Sequence, residues 1–477
     1  MSELQIIIAV FAVYLLATVL IAAWCSRESG SVGGYFIAGK KLPHWVVAVS
    51  MNATGESGWL ILGLTGMGYA VGIHALWVVL GEITGVAASW WLLARRIKRA
   101  TDQYGSITIP DYLESRFSDT RHVLRVISAA IIVLMVATYI GAQLVATGKA
   151  FSQFMNLPYG WGVVIGAAIT LTYTSVGGYK AVSYTDVFQG LWMLFGLLLL
   201  PVVAISAAGG WSAVTVDLSR SDPALLQWLG ARGLSLPGVI AAASFVAIGL
   251  PFLGVPQLIV RYISIRDEAE IRTASIISVF CITCFSTGAV LTGIAGRALF
   301  PGLTDPEFIM PTVSRELFPP VLTGILVVVL FAAIMSTVSA LLILASSAVT
   351  RDVVQRILRP DLPDHAVARL GQLVTAVIGV AGIFIALSES RVIFWFVLFS
   401  WSGLGATFGP VLLCSLYWRG TTLAGAAAGM LGGFLTTLLW VLFAKEATYN
   451  LYEVIPAFFV SLLLIVVVSR MTERPEK

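Results

Sequence analysis

Charge is scarce in this chain of 477 residues. Its 29 Lys and Arg and 25 Asp and Glu make up 11% of the sequence, against roughly 25% in soluble domains. A water-soluble fold of this length is excluded, because its surface could not be covered with so few charges. Histidine and cysteine are equally sparse. His44, His74, His122 and His365 are scattered without metal spacing. Cys25, Cys281, Cys284 and Cys414 sit in or beside apolar runs, with no second pair at zinc spacing, and read as inert membrane-helix thiols. A nucleotide-binding loop, a His-Glu-x-x-His motif and a Gly-x-Ser-x-Gly elbow are all missing, which argues against an enzyme. The net charge of +4 comes in short bursts of cations between apolar runs and forms no continuous basic face, so nucleic acid is not an expected partner. What the chain has in abundance is hydrocarbon: 58% apolar residues and a mean hydropathy of +0.92. The class is a polytopic all-α membrane protein, and its expected surroundings are a lipid bilayer.

Apolar windows of about 20 residues predict about thirteen transmembrane helices, near 4–25, 44–72, 75–94, 123–151, 159–177, 185–208, 235–263, 273–299, 319–347, 366–387, 391–417, 421–443 and 450–469. Glu3 precedes the first apolar run where a leader would carry cations, so that helix is expected to be retained. With the N-terminus outside, 22 of the 29 Lys and Arg fall in cytoplasmic loops or the C-terminal tail. The other seven are Lys149, Arg220, Arg232, Arg297, Arg315, Arg391 and Lys445. The positive-inside bias therefore favours N-out and C-in.

Two spans are interrupted. The second reads Ala-Thr-Gly-Glu-Ser-Gly at 53–58 and the seventh reads Gly-Leu-Pro-Phe-Leu-Gly-Val-Pro at 249–256. Either alone could be an ordinary kink. Breaks five helices apart, one of them holding a carboxylate, point to an inverted-repeat transporter whose site uses the backbone groups freed by the breaks.

Glu56 is the costliest residue of the sequence, because an acid near mid-membrane must be hydrated, paired or protonated. Its possible roles are to bind a cation, carry a proton, contact a polar solute or cap the second half-helix. In the ninth span, Ser336 and Thr337 are adjacent, with Ala333 one turn earlier. Hydroxyl and carbonyl oxygens on one face suit a small hard cation, although such hydroxyls also bond their own helix. Asp186 is expected at the cytoplasmic start of the sixth helix, as a cap or as an ion relay.

Several motifs occur in order along nearly the whole chain. They are Ser-Gly-Trp-Leu at 57–60 with Gly63-Leu64, Pro110-Asp111-Tyr112 with Arg116-Phe117, Gly177-Gly178 followed by Ala181-Val182-Ser183 and Thr185-Asp186, the Ala-Ala-Ile-Met-Ser-Thr run at 332–337, and Gly-Leu-Gly-Ala-Thr-Phe-Gly-Pro at 403–410. Together they resemble the sodium/solute symporter family, most of all its bacterial sodium/proline branch. The resemblance implies a LeuT-type core of two inverted five-helix repeats, 44–208 and 235–417, with broken helices 2 and 7. One extra helix, 4–25, precedes the core and two more, within 421–469, follow it in a single 1–477 domain. It also implies a sodium site from backbone carbonyls at Ala53, Glu56 and Ala333 and the hydroxyls of Ser336 and Thr337, with Asp186 on the ion path. The solute pocket would use Ser57, Gly58, Trp59, Tyr139, Ile248, Phe252, Pro256 and Gln257. This chain has Gly55 and Glu56 where that branch has aspartate and methionine, and Ile248 where it has tryptophan. The expectation is sodium-coupled symport of a small polar organic solute, an amino acid such as proline first, with sodium as coupling ion and no cofactor. Proton or dual-cation coupling through Glu56, with a different small solute, is the alternative. A transporter-like membrane sensor is a remote one, since the nine residues after Val468 leave no room for an output module. The sequence is silent on oligomeric state.

Overall fold

The computed structural model describes residues 2–25, 32–388 and 393–472; Arg27, Arg391, Arg474 and Lys477, which entered the charge count, lie outside the described residues. The fold is all-α, and the described residues contain no strand, only one isolated bridge between Leu42 and Ile265. We number the principal helices α1 (Glu3–Cys25), α2 (His44–Gly55), α3 (Thr65–Val71), α4 (Leu76–Ser89), α5 (Ile109–Phe117), α6 (Val123–Met155), α7 (Tyr159–Ala207), α8 (Leu236–Val246), α9 (Pro256–Ser264), α10 (Ile271–Leu299), α11 (Pro320–Ser347), α12 (Asp364–Ser388), α13 (Ile393–Tyr417), α14 (Leu423–Leu439) and α15 (Val454–Thr472).

Eleven helical stretches are long and apolar enough to cross a membrane, against the thirteen predicted. The difference has a local cause. The chain from Trp59 to Gln103 continues as helix through 3-10 turns at 72–75, where Gly72 (φ 61°, ψ −136°) takes a conformation only glycine adopts readily, and so forms one stretch. The predicted fifth span is a shorter apolar helix, Tyr159–Thr172, joined to the sixth within α7 across a kink at Gly178 (φ 61°, ψ −171°).

Both expected interruptions are visible in the backbone. After Gly55 the helix gives way to extended geometry at Glu56 (φ −97°, ψ 93°), and a π-helical turn at Trp59–Leu64 leads into α3. On the other side, α8 tightens into a 3-10 turn over Ala247–Leu253, the backbone is extended at Val255 (φ −66°, ψ 115°), and Pro256 starts α9 where its missing N–H costs nothing. The start of the first interrupted helix and the end of the second are tied to each other: Leu42 N donates to Ser264 O at 3.1 Å and Arg266 N to Leu42 O at 3.0 Å.

In the most apolar 18 residues of the stretches led by α11 and α13, 94% and 89% of the residues are buried, and these form the centre; for α1 and the stretch led by α14 the share is 28%, and they lie at the rim. The helix α4 reaches the seventh-span break closely because Gly81 and Gly85 face the carbonyls of Val246 and Gly249, and a Cβ on either glycine would collide with them. That close crossing brings Glu82, the residue after the first of these glycines, into the interior.

Candidate functional site

The first break meets α11 through hydroxyl-to-carbonyl contacts. Ser336 Oγ donates to Ala53 O at 2.7 Å and lies 3.1 Å from Ala333 O, while Thr337 Oγ1 donates to Thr54 O at 3.0 Å and lies 3.2 Å from Ala333 O. Five oxygens from two elements thus converge in a fully buried place, the donor chemistry a small hard cation requires. Four of the five expected residues contribute to this cluster. Thr54 was missed, because a backbone carbonyl freed by a break leaves no mark in the sequence. At Glu56, the amide N–H donates back to Asn52 O at 2.8 Å.

Asp186 does not start a helix. The helical restart is at Gly178, eight residues earlier, so Asp186 lies two turns inside α7 and is fully buried. Its Oδ2 accepts from Ser50 Oγ at 2.8 Å, Thr54 Oγ1 at 3.1 Å and Arg261 Nη2 at 2.8 Å. Arg261 also donates to Ser183 Oγ and Thr54 Oγ1, each at 2.8 Å, and stacks over the Tyr179 ring. Counted from sequence as a loop cation, Arg261 is instead a buried counter-charge.

Beside the first break lies a closed cavity of about 10 Å³, lined by Glu56, Trp59, Glu82, Tyr139, Ile248 and Trp401, with Gly55, Val397 and Leu398 completing its wall. Three expected solute-pocket residues, Trp59, Tyr139 and Ile248, therefore meet there. Ser57 and Gly58 adjoin it and are held by Gln143, whose Oε1 accepts from Gly58 N at 3.0 Å and whose Nε2 donates to Ser57 Oγ at 3.1 Å. Phe252 packs edge-on against Trp401, which with Tyr139 forms an aromatic wall. Pro256 and Gln257 are not brought to this cavity. They line a separate one of about 30 Å³, together with Thr108, Arg261 and Asp352, because the extended residue Val255 carries the start of α9 away from the aromatic wall. Glu56 does not cap the second half-helix: the Trp59 amide is capped by Ser57 Oγ at 3.1 Å, and Glu56 Oε2 has no hydrogen-bond partner within the protein. Glu82, Gln143 and Trp401 escaped the sequence reading, although an acid within the apolar run of α4 is itself a signal.

Ion pairs close the structure above and below. On one side Lys149 Nζ contacts Glu307 Oε2 at 2.6 Å and Asp305 Oδ2 at 2.9 Å. Glu307 Oε1 accepts from Phe394 N at 3.1 Å, and Phe394 stacks on Trp59 with ring centres 5.4 Å apart. On the other side Arg125 contacts Asp111 (2.7 Å), Glu114 (2.5 Å) and Asp352 (2.6 Å). Burial acts to raise the Glu114 carboxyl, but hydrogen bonds from Arg125 and His122 prevail and hold it below its usual range.

Known proteins resemble the chain over its whole length. The model of the sodium:solute symporter family matches residues 35–433. A sodium/proline symporter of Staphylococcus aureus is 34% identical over 477 residues, covering 97% of this chain and 92% of that one. An osmoregulated proline transporter of Bacillus subtilis is 33% identical over 480 residues, covering 100% and 96%. Among solved structures, a Na+-coupled sialic acid symporter in a substrate-bound outward-open state superposes with a TM-score of 0.81 at 19% identity, covering 98% of each chain. A nucleobase-cation-symport-1 family transporter in a closed conformation gives 0.56 at 12% identity, covering 92% and 95%. These two likenesses concern the fold.

Proposed function

The chain belongs to the sodium:solute symporter family and is a multi-pass, sodium-coupled solute symporter, not an enzyme; from that premise we propose that the oxygens of Ala53, Thr54, Ala333, Ser336 and Thr337 bind the coupling sodium while the adjoining aromatic cavity holds a small amine-bearing solute. The observation that carries this reading is the pair of contacts from Ser336 and Thr337 to the carbonyls at the first break. A cation placed between those hydroxyls and carbonyls would ligate both sets and lock α11 to the broken helix. Sodium would thereby stabilise the arrangement that shapes the cavity, which is how binding at one site is linked to binding at the other.

The architecture that suits this role is two five-helix repeats of opposite orientation, 44–208 and 235–417, each carrying one break, with the N-terminus outside and the C-terminus cytoplasmic. Asp186, one hydrogen bond from Thr54, lies on the ion's path to the cytoplasm. Proline, the solute of the relatives named above, belongs to the amine class proposed here. The test is solute uptake into proteoliposomes as a function of sodium. Ser336→Ala or Thr337→Ala should raise the half-maximal sodium concentration about tenfold, since one lost ligand costs on the order of 1–3 kcal/mol. Unchanged sodium dependence in both variants would reject the site.

A further inference from the structure

Two carboxylates, Glu56 from the first break and Glu82 from α4, share the wall of one closed cavity, and each is 1% exposed. Among the described residues neither takes part in an ion pair. Glu82 accepts a hydrogen bond from Ser286 Oγ on α10, whereas Glu56 Oε2 and, independently, the indole Nε1 of Trp59 are buried in the same cavity without a partner in the protein. The remaining lining is aromatic or aliphatic, from Tyr139 on α6, Ile248 at the second break and Trp401 on α13. Among the described residues that line it, Tyr139 is the only other ionisable group, and none is a Lys, Arg or His. Buried charge without compensation is expensive, and an aromatic wall beside carboxylates is the surrounding in which an ammonium group is favoured, by charge and by the ring faces together.

We infer that Glu56 and Glu82 select a solute of net positive charge, whose ammonium group sits between the two carboxylates against Trp59, Tyr139 and Trp401. The inference rests on the proposed solute cavity and narrows its cargo. It follows from a count of charge. With both carboxylates ionised and one sodium bound at the neighbouring oxygens, a monovalent organic cation brings the site to neutrality, whereas a zwitterion such as proline brings a carboxylate of its own and leaves the closed site with a net negative charge. Gly58 N, a backbone donor of the break, is already taken by Gln143.

The experiment is thermal-shift titration of the purified full-length protein, in sodium chloride and in potassium chloride. The three probes share one ring size: proline, prolinamide and cyclopentanecarboxamide, which are respectively a zwitterion, a cation and neutral without an amine. In sodium, prolinamide should bind at least about tenfold more tightly than proline, and cyclopentanecarboxamide should not bind; mass action converts occupancy into the melting shift. Glu56→Gln and Glu82→Gln should each erase the preference for prolinamide over proline. Should either variant fail to fold, the ranking in the unaltered protein and in Glu82→Asp, which keeps the charge and should keep the preference, decides the matter. Proline binding as tightly as prolinamide, absence of prolinamide binding, or a preference unchanged by both glutamine variants overturns the inference. Sodium without any solute tests the underlying reading separately: a melting shift with sodium and none with potassium supports the ion site whatever the probes do, and equal shifts count against it.

Discussion

Thr54 faces two ways: its hydroxyl donates to Asp186 at 3.1 Å while its carbonyl accepts from Thr337 at 3.0 Å. A single residue of the broken helix therefore joins the candidate ion oxygens to a fully buried ion pair, Asp186 with Arg261. Movement of the break cannot leave that pair untouched. On the ion site proposed above, Asp186 and Arg261 would serve the cycle of the transporter as well as its fold.

Removing one member of a buried pair strands the other. Asp186→Asn should destabilise the protein by about 3 kcal/mol, since Arg261 would keep its charge with only neutral partners around it, two hydroxyls, an amide and the Tyr179 ring. The double variant Asp186→Asn with Arg261→Met, which removes both charges, should recover most of that loss. Chemical or thermal unfolding of the four proteins in detergent measures the cycle. Equal losses in the single and double variants would show that the pair is not coupled.

The cluster around Arg125 gives a pH dependence with a definite sign. Arg125 and His122 hold the Glu114 carboxyl below its usual range. The stability it contributes is therefore fully present above the unfolded-state value, near 4.3, and is lost as pH falls through the lower folded-state value. The melting temperature of the unaltered protein should decline below about pH 4, and Glu114→Gln should lower the neutral-pH melting temperature and flatten part of that decline, so that the two curves approach each other in acid. Identical acid slopes for the two proteins would contradict this assignment.

Much of this arrangement is legible from sequence, because some features have a one-dimensional signature. The Gly- and Pro-containing interruptions at 53–58 and 249–256 disturb apolar runs, and Ser336-Thr337 is a polar pair inside such a run. Which face of a continuous helix turns inward has no such signature when almost every residue is apolar. Glu82 therefore hides in a span that reads as ordinary, and Arg261 reads as a loop cation although α9 ends only after Ser264. Pro256 and Gln257 miss the cavity for the same reason. Their heading depends on the dihedral angles of Val255, which the packing of Gly254 against Gly409 on α13 constrains and no periodicity reports.

Orientation rests on the distribution of cations, and two exposed positions test it. In a background with the four native cysteines replaced, Ser221→Cys should react with an impermeant maleimide added to intact cells, and Asp361→Cys should react only after the membrane is opened. The reverse pattern would turn the molecule over and reassign both ion-paired seals.

The seal around Glu307 bears directly on access to the carboxylate cavity. Its two oxygens do different work: Oε2 pairs with Lys149, and Oε1 accepts the amide of Phe394, whose ring covers Trp59. Glu307→Gln keeps an acceptor for Phe394 but gives up the charge, whereas Glu307→Ala gives up both. If this chain of contacts holds the cavity shut, its opening should increase in the order unaltered protein, Glu307→Gln, Glu307→Ala. A cysteine at Leu398, on the cavity wall, reports that order through its rate of labelling by an impermeant maleimide from the side of Lys149. A hydrogen bond to a charged group contributes about 1.5–3 kcal/mol, so labelling should accelerate on the order of tenfold in Glu307→Ala and by less in Glu307→Gln. Added sodium should shift all three rates by the same factor if the seal and the ion site act independently, and by different factors if the ion closes or opens this side. Equal labelling in all three proteins would mean that Phe394 stays on Trp59 without help from Glu307, and the seal would have to be sought in the stacking of the two rings alone.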